Sequence, residues 1–76
     1  MNTISYMLEV YEPESKSDCI CSYTADTAFP AMSEGEILDF TYLGQRVRAT
    51  EIIHLVWQND DRVSFKTLIF TENVSS

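Results

Sequence analysis

The sequence is short of several residue types, with only two cysteines, one histidine, two glycines and two prolines. Two cysteines are too few for a framework of disulfides, so the fold has to be held together by apolar packing. Hydrophobic residues make up 45% of the chain and aromatic residues 12%, which is enough for a small core. The length predicts a single domain over residues 1–76.

Long hydrophobic runs are also missing. No stretch approaches the roughly 20 apolar residues that span a bilayer, and no positively charged segment precedes an apolar run near the start. The sequence therefore predicts a cytoplasmic protein without a membrane partner.

Basic residues are the third shortage, with 5 against 12 acidic residues and a formal net charge of −7. The whole excess lies in residues 1–39, where Lys16 is the one base among the acids Glu9, Glu12, Glu14, Asp18, Asp26, Glu34, Glu36 and Asp39. This balance argues against a nucleic-acid partner and favours a basic protein partner. A surplus of acid that only keeps a small protein in solution explains the same numbers.

Apolar and polar residues alternate in short segments separated by turn residues, which is the pattern of half-buried β-strands. The alternation predicts strands over residues 4–11, 19–24, 36–42, 46–57 and 63–71. Leu43-Gly44-Gln45 predicts a hairpin turn between the third and fourth of them. A change of phase near Thr50-Glu51 predicts a β-bulge.

One segment also fits a helix. Ser33-Glu34-Gly35-Glu36 is typical of a helix capping box, and Gly44 lies where a helix would end, so residues 34–43 could instead be helical. The run Phe40-Thr41-Tyr42 favours the strand. The sequence leaves open which face of the last strand points inwards.

Five strands with mostly short connections predict an all-β, mainly antiparallel fold, a five-stranded meander that forms a small SH3-like or OB-like barrel. The segments Phe29-Pro30, Gly35-Glu36-Ile37-Leu38, Gly44-Gln45-Arg46-Val47 and Ile53-His54 give the chain a resemblance to a family. Over residues 29–71 it resembles short uncharacterised bacterial and phage proteins that form small β-barrels. The resemblance implies a fold and no activity.

Residue types that carry chemistry do not form a known motif. Cys19 and Cys21 are one residue apart, an awkward spacing for a disulfide, and a zinc site would need His54 or a second subunit to complete it. His54 has no nearby nucleophile or orienting acid in the sequence, so a structural role on the less buried face is expected. We therefore predict that the protein is not an enzyme and has no metal, cofactor or catalytic residue.

Candidate binding residues fall into two groups. Arg46 and Arg48 share one face of a predicted strand and form a small basic patch, which Lys66 could extend, unless they pair with Asp39 or Glu36. Binding of a protein through a sheet edge or an aromatic barrel face, with a homodimer as one form, is the leading hypothesis. The alternative is a phage-type inhibitor whose acids Glu9, Glu12, Glu14 and Asp18 mimic nucleic-acid charge.

Overall fold

Five β-strands and no helix form the part of the chain that the structure describes, which is residues 3–74 of a computed structural model. The strands are β1 (Thr3–Tyr11), β2 (Cys19–Ala25), β3 (Ile37–Phe40), β4 (Gln45–Asn59) and β5 (Arg62–Asn73). Each lies within a few residues of its predicted position. The all-β prediction is therefore confirmed.

The strands form one mixed and strongly curled sheet, a half-barrel, in the order β2-β1-β5-β4-β3. β1 pairs with β2, β3 with β4 and β4 with β5, all antiparallel, whereas β1 and β5 are parallel. The prediction of an uninterrupted meander is wrong at one step, because β2 and β3 do not pair within residues 3–74. Segment 26–36 separates them, and it contains Pro30, which lacks a backbone donor.

The hairpin between β3 and β4 has the predicted turn. Asp39 lies opposite Arg46, and Gly44 has a φ of 67°, the left-handed conformation that glycine adopts without strain. Residues 37–40 are extended and pair with β4, so the helical interpretation of residues 34–43 is wrong. Cross-strand pairing outweighs the local capping signal here.

The predicted bulge lies in β4. The register shifts between Ala49 and Glu51, leaving Thr50 as the extra residue, and the Thr50 hydroxyl donates to the Phe70 carbonyl at 3.1 Å. An extra residue moves every later side chain to the opposite face. This explains why the apolar alternation of β4 changes phase at Thr50.

The core lies on the concave face of the sheet, defined here as the face that carries the buried cluster Leu8, Val10, Ala49 and Ile69. Thr71 is buried on the same face, and its hydroxyl donates to the Tyr11 carbonyl at 2.7 Å. The odd-numbered residues of β5 from Phe65 to Thr71 therefore point inwards. The opposite, convex face carries Glu9 and Lys66.

A pair of tyrosines spans the open side of the half-barrel. The hydroxyl groups of Tyr23, on β2, and Tyr42, in the turn after β3, lie 2.5 Å apart. This hydrogen bond raises the pKa of Tyr23 well above its ordinary value. The two halves of the sheet therefore meet here through side chains, where a closed barrel would have backbone hydrogen bonds.

Candidate functional site

The predicted basic patch is neutralised by neighbouring acids. Arg46 and Asp39 form an ion pair with 3.6 Å between Nε and Oδ2, as the hairpin register predicts. Arg48 pairs with Glu72 of β5 at 3.5 Å, whereas the sequence pointed to Glu36. Both arginines are thus engaged on the convex face, and their role in binding stays a prediction.

Lys66 does not extend that patch. Lys66 is on β5, opposite Leu55 of β4. Glu72, which is opposite Arg48, lies six residues further along β5. At about 3.3 Å per residue the separation along the strand is roughly 20 Å. The Lys66 ammonium contacts Glu9 Oε1 at 3.1 Å, and the Tyr11 hydroxyl donates to the same oxygen at 3.0 Å. Two of the predicted binding residues, Lys66 and Glu9, therefore neutralise each other on the convex face.

Tyr11 links this ion pair to the stability of the protein at alkaline pH. Partial burial, and then its hydrogen bond to Glu9, raises the pKa of Tyr11 to about 12. In the unfolded chain the phenol has an ordinary pKa of about 10, so the folded state holds this proton more tightly.

The stabilisation that Tyr11 contributes is complete below about pH 10 and is lost as the pH rises towards about 12. We expect the urea midpoint of the wild type to fall more steeply across this interval than that of a Tyr11→Phe variant. Urea titrations followed by circular dichroism at several pH values measure this difference. Parallel curves for the two proteins would show that Tyr11 does not carry the effect.

The other predicted acidic residues lie in the loop between β1 and β2. Glu12, Glu14 and Asp18 belong to residues 12–18, and the Glu14 amide donates to the Thr71 carbonyl at 3.0 Å, which fixes the loop beside the end of β5. Glu9 lies apart from them on β1. Charge mimicry by these four acids stays a prediction.

The two cysteines are free thiols. Cys19 is exposed and Cys21 is half-buried, and a register shift in this strand pair leaves Ile20 as the extra residue between them. Burial raises the pKa of the Cys21 thiol. No group of three or more metal-ligating side chains exists among residues 3–74.

An apolar groove of about 250 Å³ lies on the concave face beneath segment 26–36. Segment residues Phe29 and Met32 form one wall, and Tyr6 and Phe65, stacked with 5.3 Å between ring centroids, belong to the other. His54 also lines it, on the core face and not on the opposite face as expected. Its Nδ1 lies 3.2 Å from the Thr67 hydroxyl across β4 and β5. No carboxylate is part of the lining that the structure describes.

A long unpaired strand edge is the most prominent feature of the sheet. β4 has 15 residues, but β3 pairs with it only from Gln45 to Arg48. Ala49 is held by backbone hydrogen bonds with Gly35 and Glu36, at 2.7 and 2.9 Å. From Glu51 to Asn59 the far side of β4 has no backbone partner within residues 3–74. We call these nine residues the free edge.

The free edge is apolar and nearly uncharged. Its sequence is Glu51-Ile52-Ile53-His54-Leu55-Val56-Trp57-Gln58-Asn59, with a single charged residue at one end. Leu55, Val56 and Trp57 are 40%, 61% and 42% exposed. Leu55 and Trp57 lie on the convex face and Val56 on the concave face, so apolar groups flank the edge on both sides.

Natural sheets usually protect such an edge with proline, inward-pointing charge, lysine or a bulge. The segment from Glu51 to Asn59 has none of these, because the one bulge of β4 lies before it. Sequence reasoning expected open edge strands but did not locate this one. The run from Ile52 to Trp57, apolar except for His54, was the available signal, since an edge strand protected against pairing seldom has so many apolar residues.

Comparisons with known proteins give no further assignment. Protein-family models, curated proteins and solved structures include no match to this chain. The resemblance to small bacterial and phage β-barrel proteins therefore stays a prediction. Among the described residues, no helix is long and apolar enough to span a membrane.

Proposed function

We propose that this protein is a non-enzymatic interaction module that binds an extended segment of another protein by adding it to the sheet at the free edge of β4. The observation that carries the proposal is the nine-residue edge from Glu51 to Asn59, which has exposed apolar side chains and no backbone partner in residues 3–74. Strand addition is a common mode of peptide recognition.

Both the backbone and the side chains of this edge favour a strand as the ligand. Unpaired N–H and C=O groups give directional hydrogen bonds to any extended backbone. Leu55, Val56 and Trp57 then select a segment whose own side chains are apolar on both faces, because directly opposed residues on paired strands come into contact. The expected ligand is therefore an apolar β-strand and not a helix.

The outer edges of the two terminal strands, β2 and β3, fit this role less well, and β3 has only four residues. β2 has seven residues, and its central positions Ser22 and Thr24 are polar. Tyr23, between them, is engaged with Tyr42 across the open side of the half-barrel. The free edge of β4 is both longer and more apolar.

The net charge of the chain affects how fast a partner approaches, whereas the contact at the free edge involves almost no charge. The net charge of −7 attracts a basic protein over long distances. Within the free edge, however, Glu51 is the only charged residue, and the Lys16 ammonium contacts it at 3.0 Å. We therefore expect the docked segment itself to be apolar and nearly uncharged, whatever the charge of the rest of its chain. We also infer that the half-barrel is an SH3-like or OB-like scaffold, because its sheet is small and strongly curled.

A display library of random nine-residue peptides tests the proposal. Selection against the wild type should enrich extended apolar sequences, and amide hydrogen exchange of residues 51–59 should slow when a selected peptide is bound. Leu55→Lys should abolish binding, because it puts a charge on the exposed convex side of the edge. Leu43→Lys is the matched control, since Leu43 is 49% exposed and lies in the turn after β3.

Two outcomes would contradict the proposal. One is a library that yields no peptide protecting residues 51–59 of a protein that is monomeric under the conditions of the selection. The other is a set of selected peptides that bind Leu55→Lys and Leu43→Lys equally well.

A further inference from the structure

We infer that the strand added to the free edge is the β4 strand of a second copy of this chain, paired antiparallel about a twofold axis at Leu55. The inference rests on the proposed function and names its partner. Two half-barrels joined in this way form one continuous sheet of ten strands. Such a contact is isologous: the same edge of each copy binds the other, so the unpaired backbone groups of both free edges gain partners.

The free edge has the properties that we expect of a strand that binds to it. The partner must be extended, apolar on both faces and nearly uncharged, and the segment from Glu51 to Asn59 is all three in every copy. It is already a strand in the folded chain, so pairing requires no ordering of a flexible segment. Leu55 is its central residue, and a register centred there uses all nine positions.

The convex face is self-complementary in this register. Antiparallel pairing about an axis perpendicular to the sheet keeps each face continuous, so convex residues meet convex residues. Leu55 then faces Leu55 of the second copy, and Ile53 faces Trp57 of the second copy. These contacts cover Leu55 and Trp57, which are exposed in the single chain, together with the half-buried Ile53, and form a continuous apolar strip across the joint.

The concave face shows the same complementarity. His54 faces Val56 of the second copy, and Ile52 faces Gln58 of the second copy. Val56 is the most exposed of the large apolar side chains on this edge, and pairing gives it a neighbour. No two charged groups are opposed on this face.

Charge also permits the pairing despite the acidity of the chain. Glu51 faces Asn59 of the second copy and not another carboxylate. The turn residues Asp60 and Asp61 of the second copy come towards the Lys16 ammonium, which lies 3.0 Å from Glu51. The Glu14 amide donates to the Thr71 carbonyl, at the level of Ala49, so the loop that carries Glu12 and Glu14 lies beside β5 and is not part of the free edge.

Sedimentation equilibrium over a range of concentrations tests the pairing. We expect the wild type to reach twice the 8.7 kDa mass of the chain. Leu55→Lys places two ammonium groups face to face at the axis and should weaken association at least about 100-fold. Leu43→Lys should associate like the wild type, and circular dichroism shows that each variant is folded.

The register has its own test. In a Cys19→Ser, Cys21→Ser background, Leu55→Cys puts two thiols directly opposite each other, with Cα atoms about 4.5–5.5 Å apart, which suits a disulfide. This variant should cross-link rapidly under mild oxidation. Ile53→Cys and Trp57→Cys, on the same face, should not cross-link, because neither residue lies opposite the identical residue of the second copy.

A wild type that stays at 8.7 kDa, an association unaffected by Leu55→Lys, or cross-linking through Ile53→Cys in preference to Leu55→Cys would each overturn the inference. Selection from the peptide library gives a separate result. A monomeric protein whose free edge still captures library peptides refutes self-pairing and leaves the proposed function standing. A monomer that captures none refutes both.

Discussion

Ile69→Ala is expected to lower the free energy of unfolding by about 3–4 kcal/mol, because it removes most of a fully buried side chain from the centre of the core. Ile69 is 0% exposed and lies in β5, opposite Val10 of β1 and Ile52 of β4. Removing its side chain leaves a cavity between the three longest strands. A domain of this size has roughly 4–11 kcal/mol of stability, so much of the total would be lost.

Ile4→Ala is the matched control, because Ile4 lies on the concave face of a neighbouring strand but is 44% exposed. We expect it to cost less than about 1 kcal/mol. Urea unfolding at one fixed protein concentration, followed by far-ultraviolet circular dichroism, measures both values. Equal losses in the two variants would show that the buried cluster around Ile69 is not the centre of the core.

Lys66→Met is expected to cost about 1–2 kcal/mol, because it leaves the Glu9 carboxylate without its cation in a partly buried place. The side chains of Lys66 and Glu9 are only 27% and 20% exposed, and Nζ lies 3.1 Å from Oε1. Methionine keeps the apolar stem, so the change isolates the charge. The same urea titration measures the effect.

Lys16→Met provides the comparison. Lys16 contacts Glu51 at almost the same distance, 3.0 Å, but the two side chains are 73% and 49% exposed. Solvent screens such a pair, and we expect a loss below about 0.5 kcal/mol. If the two lysine variants lost the same stability, burial would not be what distinguishes the two ion pairs.

Local patterns predicted most of the strands. Alternation placed β1 because one of its faces is buried, and Gly44 placed the hairpin turn because few other residues adopt its backbone conformation. The bulge at Thr50 was predicted because an extra residue leaves a visible break in the alternation. Each of these signals depends only on residues close together in the chain.

Contacts between distant segments were not predictable in the same way. The pairing of Lys66 with Glu9 depends on the parallel alignment of β1 and β5, which are separated by most of the chain. Arg48 pairs with Glu72 for the same kind of reason, whereas its expected partner was near in sequence. The inward face of β5 was ambiguous because apolar residues lie on both of its faces, and only Ile69 and Thr71 in the core decided it.

The sequence by itself determined an acidic all-β domain with five strands, since side-chain alternation and turn residues act locally. Only the tertiary structure decided which strands are neighbours, where the half-barrel opens and that β4 extends past β3 to leave Glu51 to Asn59 unpaired within residues 3–74. The physical reason is that an edge is a property of the whole sheet. A strand of given sequence is an edge or a centre according to what the rest of the chain places beside it.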